Sequence, residues 1–134
     1  MDETSRSLKW LLAAASAAVL SACGVTGYSS VEPAAAASPW AGSVCILEGR
    51  DLPTGVKRRA IGTLEATQQV GYGSTDGLMP TLADEARKVG ANAIVNVWSG
   101  HRPSAFSWAR PMANGEGVRV EGRFDCAAHG GRLW

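Results

Sequence analysis

Cysteine and histidine are the residue types with the widest chemistry in this 134-residue chain, and they occur at Cys23, Cys45, Cys126, His101 and His129. A thiolate can be acylated, can form a disulfide or can bind a metal ion, and a neutral imidazole can bind a metal ion. A protein metal site needs a cluster of such ligands, whereas these histidines lie in a turn and in a glycine-rich segment. We therefore expect neither a metal site nor a cofactor.

Cys23 follows an uncharged run, residues 10–20, which Arg6 and Lys9 precede. Basic residues, a short apolar run and small residues before a cleavage point are typical of a secretory signal. The run is shorter than the roughly 20 residues that a membrane-spanning helix needs. We predict a removable signal over residues 1–22, and an ordinary signal peptide with a chance cysteine is the alternative.

The segment Leu20-Ser21-Ala22-Cys23-Gly24 resembles the bacterial lipobox, in which a diacylglycerol is attached to the cysteine before cleavage ahead of it. The resemblance implies that Cys23 is lipidated and begins the mature chain, so that its lipid anchors the protein in a membrane. Gly24 stands where an aspartate would retain a lipoprotein in the inner membrane. The expected location is the periplasmic face of the outer membrane of a bacterial cell envelope.

The charge balance argues against nucleic acid as a partner. The formal net charge is +1, from 13 basic and 12 acidic residues, and removal of residues 1–22 leaves 11 and 10. Nucleic-acid binding requires a basic field, which a near-neutral domain lacks. The longest basic cluster is Lys57-Arg58-Arg59, which we interpret as a solvated strand end.

Composition divides the mature chain into three parts. Residues 23–39 are small and almost uncharged, which predicts a flexible tether that could reach about 50 Å. A short helix over Ala34–Ala37 is the alternative for part of it. The folded domain is expected over residues 40–128, followed by a frayed glycine-rich tail at 129–134.

Hydrophobic periodicity within the domain predicts the element order β-β-α-β-β-β. The helix begins near Thr75 or Asp76, carries an apolar stripe and ends at Gly90. The predicted strands cover 44–47, 59–72, 93–98, 105–110 and 118–126, with a turn at 111–117. The expected fold class is α+β, with a mostly antiparallel sheet of four to five strands and one helix packed on one face.

Cys45 and Cys126 are the cysteines that remain after lipidation of Cys23. Strict alternation over 118–126 points Cys126 into the core, and Cys45 lies in the apolar run 44–47. An exported protein meets an oxidising compartment, so we predict a Cys45–Cys126 disulfide. The bridge would require the first and last predicted strands to be neighbours, and two free buried thiols are the alternative.

The helix-to-strand segment 82–97, with its Gly90-Ala91-Asn92-Ala93 turn, resembles the heavy-metal-binding small-domain family and the envelope-stress sensor lipoproteins of the Rcs phosphorelay. In this turn glycine stops the helix and asparagine can bond turn backbone. The Rcs sensor domain is similar to a scaffold with two disulfides, whereas this chain can form at most one. The metal-binding label would require a ligand cluster that the chain lacks.

No residue pattern in the sequence indicates catalysis. The serines lack a Gly-x-Ser-x-Gly elbow or a Ser-x-x-Lys pair, and Glu65, Asp84 and Glu85 are predicted surface charges. We therefore expect a protein that is not an enzyme.

Aromatic residues near the 100–104 turn indicate a possible docking patch made of Trp98, His101, Arg102 and Trp108. Strand alternation groups Trp98 with Ile94 and Asn96, opposite Val95 and Val97. The alternative is that both tryptophans fill the core.

The sequence thus predicts a non-catalytic, lipid-anchored periplasmic domain that binds an envelope protein or the cell wall, with envelope-stress sensing as one form of that role. One alternative is a self-associating structural domain, and a second is a metal carrier.

Overall fold

The computed structural model describes residues 24–35, 37–68, 74–103 and 109–134. Within these ranges the chain forms six strands and one α-helix. They are β1 (Val25–Val31), β2 (Cys45–Glu48), β3 (Arg58–Gln68), α1 (Met79–Val89), β4 (Ala93–Arg102), β5 (Arg110–Val120) and β6 (Arg132–Leu133).

All six strands belong to one sheet with the order β1-β3-β5-β4-β2-β6 in the part of the chain that the structure describes. Neighbouring strands are antiparallel except for β2 and β4, which are parallel. The predicted α+β class with a mostly antiparallel sheet is confirmed, and the sheet has more strands than the four to five expected.

Helix α1 forms where the sequence predicts it. A 3-10 turn, Thr75–Leu78, leads into the helix, and the Ser74 hydroxyl accepts a hydrogen bond from the Asp76 N–H at 3.2 Å. Pro80 stands in the first turn, where its missing N–H costs nothing. Gly90 ends the helix at φ 85°, a left-handed conformation that glycine adopts without strain.

Each face of the sheet carries its own apolar cluster. The helix-side cluster joins α1 to the sheet and includes Leu64, Leu82, Ala86, Ile94 and Val97. The loop-side cluster lies on the opposite face under the connections 49–57 and 121–131, and it includes Leu47, Leu52, Val95, Val118 and Val120. The structure describes no helix that is long and apolar enough to cross a membrane.

The prediction of a flexible tether over 23–39 is wrong for β1. This strand pairs along its whole length with β3, and Val25 and Val31 pack against the helix-side cluster. The composition of the segment is poor in apolar residues, which predicts disorder for an isolated chain, but β3 supplies backbone partners that composition does not reveal. The segment that follows is also tied down, since the Trp40 N–H donates to the Arg87 carbonyl at 2.9 Å.

The C-terminal segment 129–134 is not a frayed tail. Strand β6 pairs with β2, and Trp134 exchanges backbone hydrogen bonds of 3.0 and 2.9 Å with Val44. The Arg87 guanidinium donates to the carbonyl oxygens of Gly42 and Trp134, so α1 holds both segments. Glycine content suggested fraying, but β2 offers an edge on which these residues pair.

The strand predictions after α1 need correction, because β5 runs without interruption through the predicted turn at 111–117. A side chain at Gly115 would lie 2.7 Å from the Cγ2 atoms of Ile94 and Val97, and one at Gly117 would lie 3.0 Å from Leu64. These glycines therefore allow close packing under the helix-side cluster. Most of the strand predicted over 105–110, and residues 69–72 of the first long strand, lie outside the described residues.

The structure contains the Cys45–Cys126 disulfide, with the two Cα atoms 5.7 Å apart. The prediction that the bridge joins two neighbouring strands is wrong, because β5 ends at Val120, before Cys126, and β4 lies between β5 and β2. Gly122, at φ 82°, turns the chain so that the 121–126 connection carries Cys126 back to β2. Cys126 is buried as predicted.

Candidate functional site

A bulge in β4 decides which face Trp98 occupies. Asn96 has φ 52°, and its N–H donates to the Arg50 carbonyl at 2.7 Å. The register moves from Val95 opposite Glu116 to Trp98 opposite Asn114, so β4 has one residue more than β5 here. Asparagine is among the residue types that tolerate this left-handed conformation.

The bulge makes the predicted alternation wrong beyond residue 95. Val97 joins Ile94 in the helix-side cluster, and Trp98 follows Val95 onto the opposite face. This half of that face lies beyond the loop-side cluster, and the Trp98 side chain is 40% exposed there. The alternative in which Trp98 fills the core is therefore excluded by its exposure.

Trp98 forms a continuous exposed stack with two residues that follow it on the same face. A side chain at Gly100 would lie 2.7 Å from the Trp98 ring, so the indole lies flat over this glycine. The Arg102 guanidinium carbon lies 4.7 Å from the ring centroid, which is a cation–π contact. The stack presents one flat aromatic surface and one positive charge to solvent.

The stack belongs to a larger surface, which we call the open face. A single cross-strand row contains Tyr28 on β1, Glu65 on β3, Asn114 on β5 and Trp98 on β4. With strands about 4.8 Å apart, the two aromatic residues stand roughly 14 Å from each other. Tyr28 is 50% exposed, so both ends of the row are accessible aromatic rings.

A shallow groove of about 530 Å³ continues the open face beside this row. Polar residues contribute much of its lining, including Glu32, Thr63, Asn96, Asn114 and Glu116. Aromatic rings next to carboxylate and amide groups can stack on a ligand and hydrogen-bond with it. The arrangement is therefore suited to recognition.

The structure brings together two of the four residues predicted for a docking patch, Trp98 and Arg102. His101 is exposed but alternates onto the other face, where it pairs in register with Pro111. Trp108 and the predicted lipidation residue Cys23 lie outside the described residues. Tyr28 was not predicted for the site because its segment was assigned to the tether, and Asn114 was not predicted because its segment was assigned to a turn.

The described residues contain no group of three or more His, Cys, Asp or Glu side chains that could hold a metal ion. His129 stacks on Phe124, with ring centroids 5.1 Å apart. The clear pKa shifts belong to ion pairs away from the open face. The hydrogen bond from Arg58 lowers the pKa of Asp51, and the hydrogen bond to Glu85 raises the pKa of Lys88.

Comparison of the chain with family models, curated proteins and solved structures gives no match.

Proposed function

We propose that this protein is a lipid-anchored lipoprotein of the bacterial cell envelope, held on the periplasmic face of the outer membrane, whose non-catalytic domain binds or senses another envelope component. The observation that carries the proposal is the exposed Trp98–Arg102 stack on the open face. Tryptophan, tyrosine and arginine dominate the energetics of binding surfaces, and the open face presents all three.

The anchor supports the envelope location. The signal-like segment 1–22 directs export and is then removed, and the lipid on Cys23, which follows the lipobox-like residues, provides the membrane attachment. The Cys45–Cys126 disulfide fits an oxidising compartment outside the cytoplasm. Envelope-stress sensing is the form of this role that the resemblance of the 82–97 segment implies.

Site-specific photocrosslinking in cells tests the binding role. A photoreactive residue at position 98 should give discrete adducts, because this position lies at the centre of the exposed stack. The matched control is position 84, since Asp84 is exposed on α1, away from the open face. Equal adducts from both positions, or none from position 98, would contradict the proposal.

Lipidation of Cys23 is tested separately. Cells fed a radiolabelled or alkyne fatty acid should label the wild-type chain, and Cys23→Ser should abolish the label and leave the signal segment uncleaved. Ser21→Ala, which keeps a small residue before the cysteine, is the control that should be both labelled and cleaved. A labelled Cys23→Ser chain would remove the basis of the anchor.

One observation favours self-association as a second candidate function. β1 is the outermost described strand beside β3, and its seven residues include no charge and no proline, the usual devices that block edge-to-edge pairing. Light scattering of the full mature chain in detergent, with the empty micelle subtracted, distinguishes the candidates. A stable dimer that Ser29→Lys dissociates would favour self-association, and a monomer would favour the binding role.

A further inference from the structure

We propose that the domain rests directly on the membrane, with the end of the sheet at which β1 begins turned toward the lipid headgroups. We call this region the anchor end, and it comprises the first residue of β1, the last residues of β3 and β4 and the first residue of β5. The inference depends on the proposed lipidation of Cys23 and adds to it the orientation and the contact surface of the domain.

The link between the lipid and the domain is short. Only Gly24 separates Cys23 from Val25, where β1 begins. Val25 is fixed by its pairing with Gln68 and by its contact with the helix-side cluster. Two Cα to Cα steps span at most about 7 Å, compared with about 50 Å for an extended tether to residue 39. The lipid therefore holds the anchor end next to the membrane.

The anchor end carries basic residues. Arg102 and Arg110 lie opposite each other where β4 ends and β5 begins. On the four strands that reach this end, the nearest acidic residue is Glu65, three positions before the end of β3 and so about 10 Å away. Asp76, at the start of the helical segment, is paired with Arg132 at 3.2 Å.

These charges fit an anionic lipid surface. Basic residues next to such a surface are attracted to it electrostatically. The link length and the charge distribution therefore select the same end of the sheet.

The orientation can be measured with the full mature, lipidated chain in vesicles of phosphatidylcholine and phosphatidylglycerol. Gln68→Cys places a spin label at the anchor end, and Glu121→Cys places one beyond the opposite end of β5. The disulfide and the lipid occupy the native cysteines, so each introduced thiol is labelled selectively. Nickel-chelating lipids should raise the spin relaxation rate of the label at position 68 several-fold more than that of the label at position 121.

Charge reversal tests the contact surface. Arg102→Glu combined with Arg110→Glu should lower the ratio of the relaxation at position 68 to that at position 121, because carboxylates are repelled by phosphatidylglycerol and the domain then tilts about its short link. The matched control is Lys57→Glu combined with Arg59→Glu, which reverses two charges at the other end of the sheet. Circular dichroism of each variant verifies the fold. If the charge-reversed pair does not fold, Arg102→Gln combined with Arg110→Gln takes its place.

Flotation of the vesicles distinguishes a missing lipid anchor from a wrong orientation of the domain. A chain that does not float carries no lipid, which overturns the proposed anchor together with this inference. A chain that floats but shows equal relaxation at positions 68 and 121 keeps its anchor and overturns the orientation alone. Relaxation that the Arg102 and Arg110 variants leave unchanged overturns the basic contact surface.

Discussion

At the scale of single residues, Gly27 allows β1 to lie against α1. A side chain at this position would place its Cβ 2.7 Å from the Oε1 atom of Glu85. Glu85 is only 8% exposed, and its carboxylate accepts a hydrogen bond of 2.8 Å from Lys88. The sequence predicted a surface charge at Glu85, and this was wrong because β1 covers the residue.

We expect Gly27→Val to lower the free energy of unfolding by about 1–3 kcal/mol, because the added methyl groups must displace β1 or Glu85. Ser30→Val, on the same strand but exposed on the open face, is the matched control. Urea unfolding followed by circular dichroism measures both. Equal stability of the two variants would show that β1 does not pack tightly on α1.

Asp51 and Arg58 form an exposed ion pair whose contribution depends on pH. Arg58 donates two hydrogen bonds to the Asp51 carboxylate, one of them 3.0 Å long, and these lower the pKa of Asp51. A lowered pKa stabilises the folded state above the unfolded pKa of about 3.9, and this stability is lost as the pH falls through the folded pKa.

We therefore expect Asp51→Asn to lower the free energy of unfolding by less than about 1 kcal/mol at neutral pH, since the pair is exposed. The difference from the wild type should shrink as the pH falls from neutral through the lowered pKa of Asp51, because the carboxyl is then protonated in both states. Urea titrations across this range test the sign. A difference that grows on acidification would contradict it.

At the scale of elements, Asn92 joins the turn after α1 to the end of β5. Its amide oxygen accepts from the Val120 N–H at 2.7 Å, and its amide nitrogen donates to the Val120 carbonyl at 3.1 Å. The sequence predicted that Asn92 would bond backbone within its own turn. The partner is instead 28 residues away, so this side chain fixes the point at which β5 ends.

Replacing Asn92 should destabilise the protein through unsatisfied backbone groups at Val120. We expect Asn92→Ala to lower the free energy of unfolding by about 1–3 kcal/mol. Asn92→Asp should also be destabilising, because it removes the donor to the Val120 carbonyl. Asn114→Ala on the open face is the control, and hydrogen exchange at Val120 should accelerate in the Asn92 variants alone.

The elements that sequence reasoning predicted well are those with local signals. Helix α1 has an apolar stripe, a proline in its first turn and a glycine stop, and the structure contains it at the predicted place. The elements that it missed depend on distant partners. β1 requires β3, the glycines of β5 require Ile94 and Leu64 above them, and the Asn96 bulge requires the Arg50 carbonyl.

The residues of the candidate site also divide into those with local signals and those that depend on distant partners. Trp98 and Arg102 were identified from residue type and proximity along the chain, which suffices for neighbours on one strand. Tyr28 and Asn114 reach the open face through strand register, which no local pattern encodes. The face that Trp98 occupies was also not predictable, because one bulged residue reverses the alternation.

At the scale of the whole molecule, the disulfide closes most of the chain into one loop, because Cys45 and Cys126 are separated by 81 positions in the sequence. In the chain-entropy model a loop of this length stabilises the fold by roughly 4 kcal/mol. We expect Cys45→Ala with Cys126→Ala to lose about that much in urea unfolding. Cys23→Ser should leave the unfolding free energy unchanged, and a loss below about 1 kcal/mol for the double variant would contradict the entropic account.

The same disulfide has a mechanical consequence. If the proposed lipid holds the chain near Val25 and β6 is pulled, the chain is loaded in tension between two points outside the disulfide loop. Residues between Cys45 and Cys126 cannot lengthen, because the covalent bridge carries the force past them. Extension is limited to the 20 positions from Val25 to Cys45 and the 6 positions from Cys126 to Arg132, together about 90 Å, and begins with β1 peeling from β3. Single-molecule pulling should show this short step in the oxidised protein and a much longer one after reduction, so that β1 yields under load while the disulfide-closed domain keeps its shape.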